Sequence, residues 1–221
     1  MQGKVALGGG GGATDSRLLD ATFAGWLGTH GRLLYWPIAM RGMIPFAECY
    51  AWLTATFAPL QVTDITMWTE LDGHQRHELD RFDGIYIGGG NTYGLLAECL
   101  ASGFDRHLVA YVVQGGAVYG GSAGAVLLGK NIQTVAHMDR NLEGLQATAC
   151  LNLARDHAVW VHYTAQDDAR IAELVAQFGE PVLALAEPAG ATVVVDELTS
   201  VGLTPGVVFD QQGKRTLSIN L

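Results

Sequence analysis

The sequence carries few charges and has no run of basic residues. Of its 221 residues, 13 are Lys or Arg and 22 are Asp or Glu, so charged residues make up only 16% of the chain and the net charge is −9. Nucleic-acid phosphates are bound by clusters of Lys and Arg. The lack of such clusters argues against a nucleic-acid partner.

Cysteine is also scarce. Cys49, Cys99 and Cys150 are an odd number, are widely spaced and form no C-x-x-C pair. This pattern is typical of reduced thiols rather than of a disulfide scaffold or a zinc site. At the N terminus, glycine follows only three apolar residues, so the apolar core of a signal peptide is missing. We therefore expect a cytoplasmic protein.

Long uninterrupted apolar segments are absent as well. Residues 108–129 have almost no polar side chains, but six glycines interrupt them. A membrane helix needs about 20 mostly apolar residues, and pairs of glycines mark turns instead. We interpret this segment as a buried strand and a turn, and we expect no membrane partner.

Short apolar runs alternate with longer segments of helical period. Strands are predicted at 4–7, 33–36, 62–68, 84–87, 117–119, 159–161, 182–185 and 192–195. Helices are predicted after a cap at Thr14 or Asp15, and at 46–57, 92–100, 106–113, 123–128 and 169–178. This alternation predicts a doubly wound α/β fold, in which helices cover both faces of a mostly parallel sheet. The length favours one domain over residues 1–221, and residues 192–221 are predicted to add short hairpins at a sheet edge.

A serine lies between a predicted strand and a predicted helix, in the run GGSAG at residues 120–124. A serine on such a tight turn needs very small neighbours, here Gly120 and Gly124, and its hydroxyl then projects above the sheet edge. The amide of Ala123 at the helix start can stabilise an oxyanion. The structural alternative is that small residues cluster here because a helix packs closely on the sheet.

A second strand ends in glycines at residues 88–92, which read GGGNT. The amide of Gly89 or Gly90 can supply a second oxyanion donor. In a doubly wound sheet, both turns lie at the carboxyl ends of strands, where open α/β folds bind their ligands. A purely structural turn is the alternative.

Seven histidines can supply the base that a serine nucleophile needs. His162 ends an apolar strand, at the edge that the serine is expected to occupy, although a histidine there can also be a packing or capping residue. His74 and His77 form H-x-x-H beside acidic residues, but the segment is typical of a charged turn rather than of a metal site.

Together, GGGNT at 88–92, GSAGA at 121–125 and the strand ending in His162 resemble the serine peptidases of family S51, which includes peptidase E (aspartyl dipeptidase) and the cyanophycinases. The resemblance covers roughly residues 1–190. It implies a flavodoxin-like fold similar to class I glutamine amidotransferases, with serine in place of their elbow cysteine. It further implies Ser122 as nucleophile, His162 as general base, a small peptide as substrate and a homodimer. This chemistry requires no metal or organic cofactor.

The resemblance also implies an acid between the serine and the histidine. Asp139 lies 17 residues after Ser122 and 23 before His162, and Glu143 lies 21 after and 19 before. Either carboxylate can fix the imidazole tautomer if its loop reaches the ring. We favour Asp139, and the sequence leaves the choice open.

For the substrate, the resemblance implies Asp-X or β-Asp-linked dipeptides. Relatives of peptidase E bind the aspartate through basic side chains, and Arg170 is the candidate counterpart, with Gly90 and Asn91 as further substrate-binding residues. Arg170 can equally face solvent on its helix. The remaining alternatives are a non-catalytic protein of the same fold or a nucleotide-binding one that uses residues 8–12 as a phosphate loop.

Overall fold

The computed structural model describes residues 2–219, so Met1 and residues 220–221, at the ends of the predicted domain, lie outside it. Its strands are, in chain order, β1 Lys4–Gly8, β2 Arg32–Trp36, β3 Asp64–Met67, β4 Gly84–Ile87, β5 Ala117–Gly121, β6 Ala158–Trp160, β7 Val182–Ala184, β8 Gly190–Val194, β9 Glu197–Ser200, β10 Val207–Asp210 and β11 Gly213–Thr216. Its α-helices are α1 Ala13–Leu27, α2 Phe46–Phe57, α3 Thr92–Ser102, α4 Phe104–Val113, α5 Ala123–Leu128 and α6 Asp168–Phe178.

Seven strands form the larger sheet, in the order β3-β2-β4-β5-β1-β8-β9. The first five are parallel, and β8 and β9 add an antiparallel hairpin at the β1 side. Gly8 at the end of β1 pairs with Gly121 at the end of β5, and Ile87 of β4 pairs with Gly120. The glycine turns that follow these three strands therefore meet at one edge of the sheet.

Alternate residues of the parallel strands enter two different cores. Val5 and Leu7 belong to the core beneath α3, α4 and α5, whereas Ala6 belongs to the core beneath α1 and α2. On β4, Ile85 and Tyr86 divide between the two cores in the same way. Both faces of the sheet are thus covered, which confirms the doubly wound α/β arrangement.

Most predicted elements are confirmed, with small shifts at their ends. One cap differs: α1 begins after Gly12, and Asp15 lies inside the first turn, where its carboxylate accepts a hydrogen bond from the Gly12 amide at 3.0 Å. Within residues 2–219, no helix combines the length and apolar character needed to cross a bilayer.

A second, four-stranded sheet has the order β11-β10-β7-β6 and differs from the prediction. The β8–β9 hairpin extends the main sheet as expected, but β10 pairs with β7 and β11 pairs with β10. This sheet has its own core, in which Trp160, Val182 and Phe209 pack against Ile171 and Val175 of α6. The strand that leads to His162 therefore comes from a different sheet than the strand that leads to Ser122.

Candidate active site

Ser122 occupies a strained turn between β5 and α5. Its backbone has φ 51° and ψ −113°, a region that side-chain-bearing residues rarely adopt. A β-carbon on Gly120 would lie 2.4 Å from the carbonyl oxygen of Gly124, and one on Gly124 would lie 2.3 Å from that of Ile87. The small residues around the serine are therefore required by the close approach of three backbone segments.

The hydroxyl of Ser122 is hydrogen-bonded to His162. Its Oγ lies 2.9 Å from Nε2 of the imidazole. His162 follows β6 by two residues and also has positive φ, 53°. Its amide donates to the carbonyl of Gly9 at 2.8 Å, which ties the turn of the second sheet to the glycine loop of the first. The structure thus brings together the two residues that sequence reasoning paired.

Glu187 completes the chain of hydrogen bonds. Its Oε1 lies 3.0 Å from Nδ1 of His162, on a turn that follows β7. The ends of β6 and β7 run side by side, because the amide of Leu185 donates to the carbonyl of Trp160 at 2.8 Å. Sequence reasoning missed Glu187. The sequence feature that could have indicated Glu187 is its position two residues after the apolar strand predicted at 182–185.

Neither acid considered from the sequence is bonded to His162. The carboxylate of Asp139 accepts a hydrogen bond from the amide of Thr92 at 2.8 Å, at the start of α3. Glu143 is exposed and lines a neighbouring groove. The carboxylate that contacts the imidazole instead lies after the histidine in the chain.

The glycine loop at residues 8–12 packs against the same histidine. A β-carbon on Gly10, which has φ 106°, would lie 2.3 Å from Cε1 of His162, and one on Gly9 would lie 1.9 Å from the carbonyl oxygen of Ala186. The loop needs glycine because the His162 ring and the turn that carries Glu187 lie against it. The nucleotide-binding alternative is therefore not favoured.

The second glycine turn lies on the other side of the serine. A β-carbon on Gly89 would lie 3.1 Å from Cβ of Ser122, so this backbone is in direct contact with the serine. Asn91 caps α3: its side chain accepts from the amide of Gly94 at 2.9 Å and donates to the carbonyl of Arg140 at 2.9 Å. The amide side chain of Asn91 thus bonds to the protein itself.

A cavity of about 560 Å³ opens at Ser122 and His162. Glu48 and Asp139 bring carboxylates to it. Much of the rest of its wall is aromatic or aliphatic: Tyr35, Met40, Ile44, Trp52, Tyr86 and Met138. Thr92 also lines the cavity, and its hydroxyl is buried without a hydrogen-bond partner among residues 2–219. Arg170 is exposed on α6 and is not among the lining residues.

Across the described residues, 2–219, no group of three or more His, Cys, Asp or Glu side chains is arranged to bind a metal ion. His74 instead stacks on Trp68, with ring centroids 3.7 Å apart, and lies 3.3 Å from Glu78. Cys49 lines the cavity, but burial raises the pKa of its thiol, so the reactive thiolate is disfavoured.

Most of the sequence matches the model of a known protein family. Residues 5–201 match the model of peptidase family S51. This chain belongs to peptidase family S51. Curated relatives of this S51 chain include an uncharacterized peptidase of Listeria monocytogenes, 34% identical over 106 residues that cover 47% of this chain and 51% of that protein. Another uncharacterized peptidase, from Listeria innocua, is 35% identical over 106 residues, which cover 47% of this chain and 50% of that protein. The S51 chain thus spans about half the length of the curated relatives that it matches.

Two solved structures share the fold of this S51 chain. A putative peptidase E protein from Listeria monocytogenes superposes with a TM-score of 0.74 at 20% identity, over 92% of this chain and 100% of that chain. A peptidase from an acI-B1 Actinobacterium superposes with a TM-score of 0.75 at 17% identity, over 100% of this chain and 96% of that chain. These similarities confirm the predicted flavodoxin-like α/β fold.

Proposed function

We propose that this S51 chain is a serine-type peptidase in which Ser122, His162 and Glu187 act as a triad. The observation that carries the proposal is the pair of hydrogen bonds from Oγ to Nε2 at 2.9 Å and from Nδ1 to Oε1 at 3.0 Å. Glu187 accepts a hydrogen bond from Nδ1–H, which leaves Nε2 free to take the proton of the serine hydroxyl. The same carboxylate stabilises the imidazolium that forms.

In the first half of the reaction, Oγ of Ser122 attacks the peptide carbonyl carbon while His162 takes the hydroxyl proton. The amides of Ala123 and Gly89, on either side of the serine, are the proposed donors to the oxyanion. Collapse of the tetrahedral intermediate breaks the C–N bond, and His162 returns the proton to the departing amine. Water then attacks the acyl-enzyme with His162 again as base, which releases the acid and restores the serine.

A small peptide with a free amino terminus fits the cavity best. A cavity of about 560 Å³ lies in the range of roughly 300–1,000 Å³ that encloses small ligands. Asp139 and Thr92 form one corner of the cavity wall, where the Asp139 carboxylate accepts from the Thr92 amide. A carboxylate can also accept from an ammonium group. We assign this corner to the α-ammonium of the substrate, which makes the enzyme an exopeptidase or dipeptidase.

The resemblance to peptidase E implies a finer specificity, the hydrolysis of Asp-X or β-Asp-linked dipeptides. The aspartate carboxylate then needs a cation, and Arg170 is the candidate. Arg170 lies outside the cavity wall, so aspartyl specificity requires its side chain to extend over the rim.

The test is a screen of free dipeptides, with Asp, β-Asp, neutral and basic residues at the first position, against the wild type and Ser122→Ala. We expect the substitution to lower turnover by about 10⁴-fold or more. A fluorophosphonate probe should label Ser122 in the wild type alone. Normal cleavage by Ser122→Ala would overturn the mechanism.

We also propose that the protein acts in the cytoplasm as a homodimer. The cysteine pattern supports the first point, since the buried Cys49 and Cys99 are free thiols. Light scattering after size-exclusion chromatography tests the second, because a monomeric mass would contradict it.

A further inference from the structure

The active-site cavity is lined by carboxylates and by no Lys or Arg side chain of the described residues. Among the described residues that line it, Glu48 and Asp139 are acidic, and none is Lys or Arg. A substrate side chain that enters this space meets carboxylates and aromatic rings. Because charge complementarity governs selectivity among partners of similar shape, this lining favours a cationic or apolar side chain over an aspartate.

One part of the cavity is continuous with the serine and has an aromatic floor. We call it the α2 pocket, and its walls are Tyr35, Met40, Ile44, Glu48, Trp52 and Tyr86. The Tyr86 ring lies 5.7 Å from that of Tyr35 and 6.3 Å from that of Trp52. A β-carbon on Gly121, which precedes the serine, would lie 3.0 Å from the Tyr86 hydroxyl. The aromatic surface therefore extends from the neighbour of the nucleophile to α2.

Glu48 and Trp52 lie one turn apart on α2, so their side chains share one face of the helix. Trp52 is 40% exposed, a large fraction for a tryptophan, and its ring is open to a ligand. The Glu48 carboxylate is exposed, and within residues 2–219 it has no hydrogen bond or ion pair. The α2 pocket thus combines an apolar floor with an unengaged negative charge at its helix.

Resting on the proposed peptidase mechanism, but in place of the aspartyl specificity that the resemblance implies, we propose that the α2 pocket receives the side chain of the N-terminal substrate residue and selects lysine or arginine. The aliphatic stem lies along Tyr86 and Trp52, and the cationic end reaches Glu48. Lys and Arg are suited to such a site because their stems are apolar and their charged ends bind both carboxylates and aromatic faces. With Asp139 assigned to the α-ammonium, Glu48 is the carboxylate available to the side chain.

The first test compares kcat/KM for Lys-Leu, Arg-Leu, Leu-Leu and Asp-Leu. For the wild type, we expect the lysyl and arginyl substrates to exceed Asp-Leu. Glu48→Gln should lower the ratio of Lys-Leu to Leu-Leu by about two- to fivefold, the size expected for an exposed ion pair. The matched control is Glu173→Gln, at an exposed position of α6 away from the cavity, which should leave the ratio unchanged.

The second test is independent of turnover. Isothermal titration calorimetry with Ser122→Ala measures binding of the intact dipeptides, with and without Glu48→Gln. Tighter binding of Lys-Leu than of Asp-Leu that is lost in Glu48→Gln supports the proposal, even if the wild type hydrolyses none of the peptides and the proposed function fails. A preference for Leu-Leu that Glu48→Gln leaves unchanged, or a preference for Asp-Leu, would overturn it.

Discussion

Gly10 and His162 are in direct contact: a β-carbon at Gly10 would lie 2.3 Å from Cε1 and 2.5 Å from Nε2 of the imidazole. The ring is also bonded to Ser122 through Nε2 and to Glu187 through Nδ1. The glycine loop therefore limits the space for the ring, while its two nitrogens are fixed by partners from different strands.

Gly10→Ala should impair catalysis and, because Gly10 has φ 106°, should also destabilise the loop, so activity is compared per folded molecule. The new methyl group must displace the imidazole, and a shift of about 1 Å in a catalytic group costs on the order of 10²-fold in rate. The matched control is Gly12→Ala in the same loop, because Gly12 has φ −76° and a β-carbon there would lie 3.9 Å from Oδ2 of Asp15, an ordinary van der Waals distance. Steady-state kinetics of the two variants check the prediction, and equal activity of both would contradict it.

Glu187 and Asp139 should affect different kinetic parameters. Glu187→Gln alters the partner of the imidazole, so we expect kcat to fall by about 10²-fold, less than the roughly 10⁴-fold seen for a buried triad acid, because Glu187 is partly exposed. Asp139→Asn weakens the proposed ammonium site and should mainly raise KM. Glu143→Gln is the control, since Glu143 is exposed outside the cavity wall. A large loss of kcat in Asp139→Asn, with Glu187→Gln unaffected, would make Asp139 the triad acid.

The parts of the site that sequence reasoning placed depend on local chain geometry. Gly120 and Gly124 flank the serine because backbone segments pass within 2.4 Å of their absent β-carbons, and such a turn is visible in a few consecutive residues. The helix bounds at 46–57 and 123–128 also follow from local pattern. These features need no knowledge of distant contacts.

The missed parts depend on pairing between distant segments. β6 and β7 have only three residues each, and all six are buried, so their pattern does not indicate which sheet they join. Glu187 reaches His162 only because those two strands are neighbours. An acid expected between the serine and the histidine in sequence led to Asp139, whereas Nδ1 is hydrogen-bonded to Glu187 because β6 pairs with β7.

Asp20 should make stability depend on pH. It is 2% exposed beneath the site, where it accepts a hydrogen bond from Ser16 at 2.7 Å, and burial raises its pKa from 3.8 to about 6. Because the folded-state pKa is the higher one, its stabilising contribution is complete below about pH 4 and is lost as the pH rises through 6. The shift corresponds to at most about 3 kcal/mol of unfolding free energy.

Asp20→Asn removes this titration. The unfolding free energy of Asp20→Asn minus that of the wild type should be up to about 3 kcal/mol more positive above pH 7 than at pH 4. Urea denaturation of both proteins at pH 4, 6 and 8 measures the difference. Asp64→Asn, at an exposed position of β3, should change stability by less than about 0.5 kcal/mol at each pH. A difference between Asp20→Asn and wild type that does not vary with pH would contradict the prediction.

A substitution that relieves the backbone strain at Ser122 should raise the stability of the protein and abolish its activity. With φ 51° and ψ −113°, this serine occupies a conformation that glycine adopts without steric cost. Ser122→Gly removes a strain of about 1–3 kcal/mol but adds about 0.5–1 kcal/mol of chain entropy in the unfolded state, so the net gain should be roughly 1 kcal/mol. Ser122→Ala keeps the β-carbon and should not gain it. Both variants lose the hydroxyl and should be inactive, so thermal or urea denaturation isolates the backbone effect. If Ser122→Gly is no more stable than Ser122→Ala, the turn holds no strain, and the glycines around it serve close packing alone.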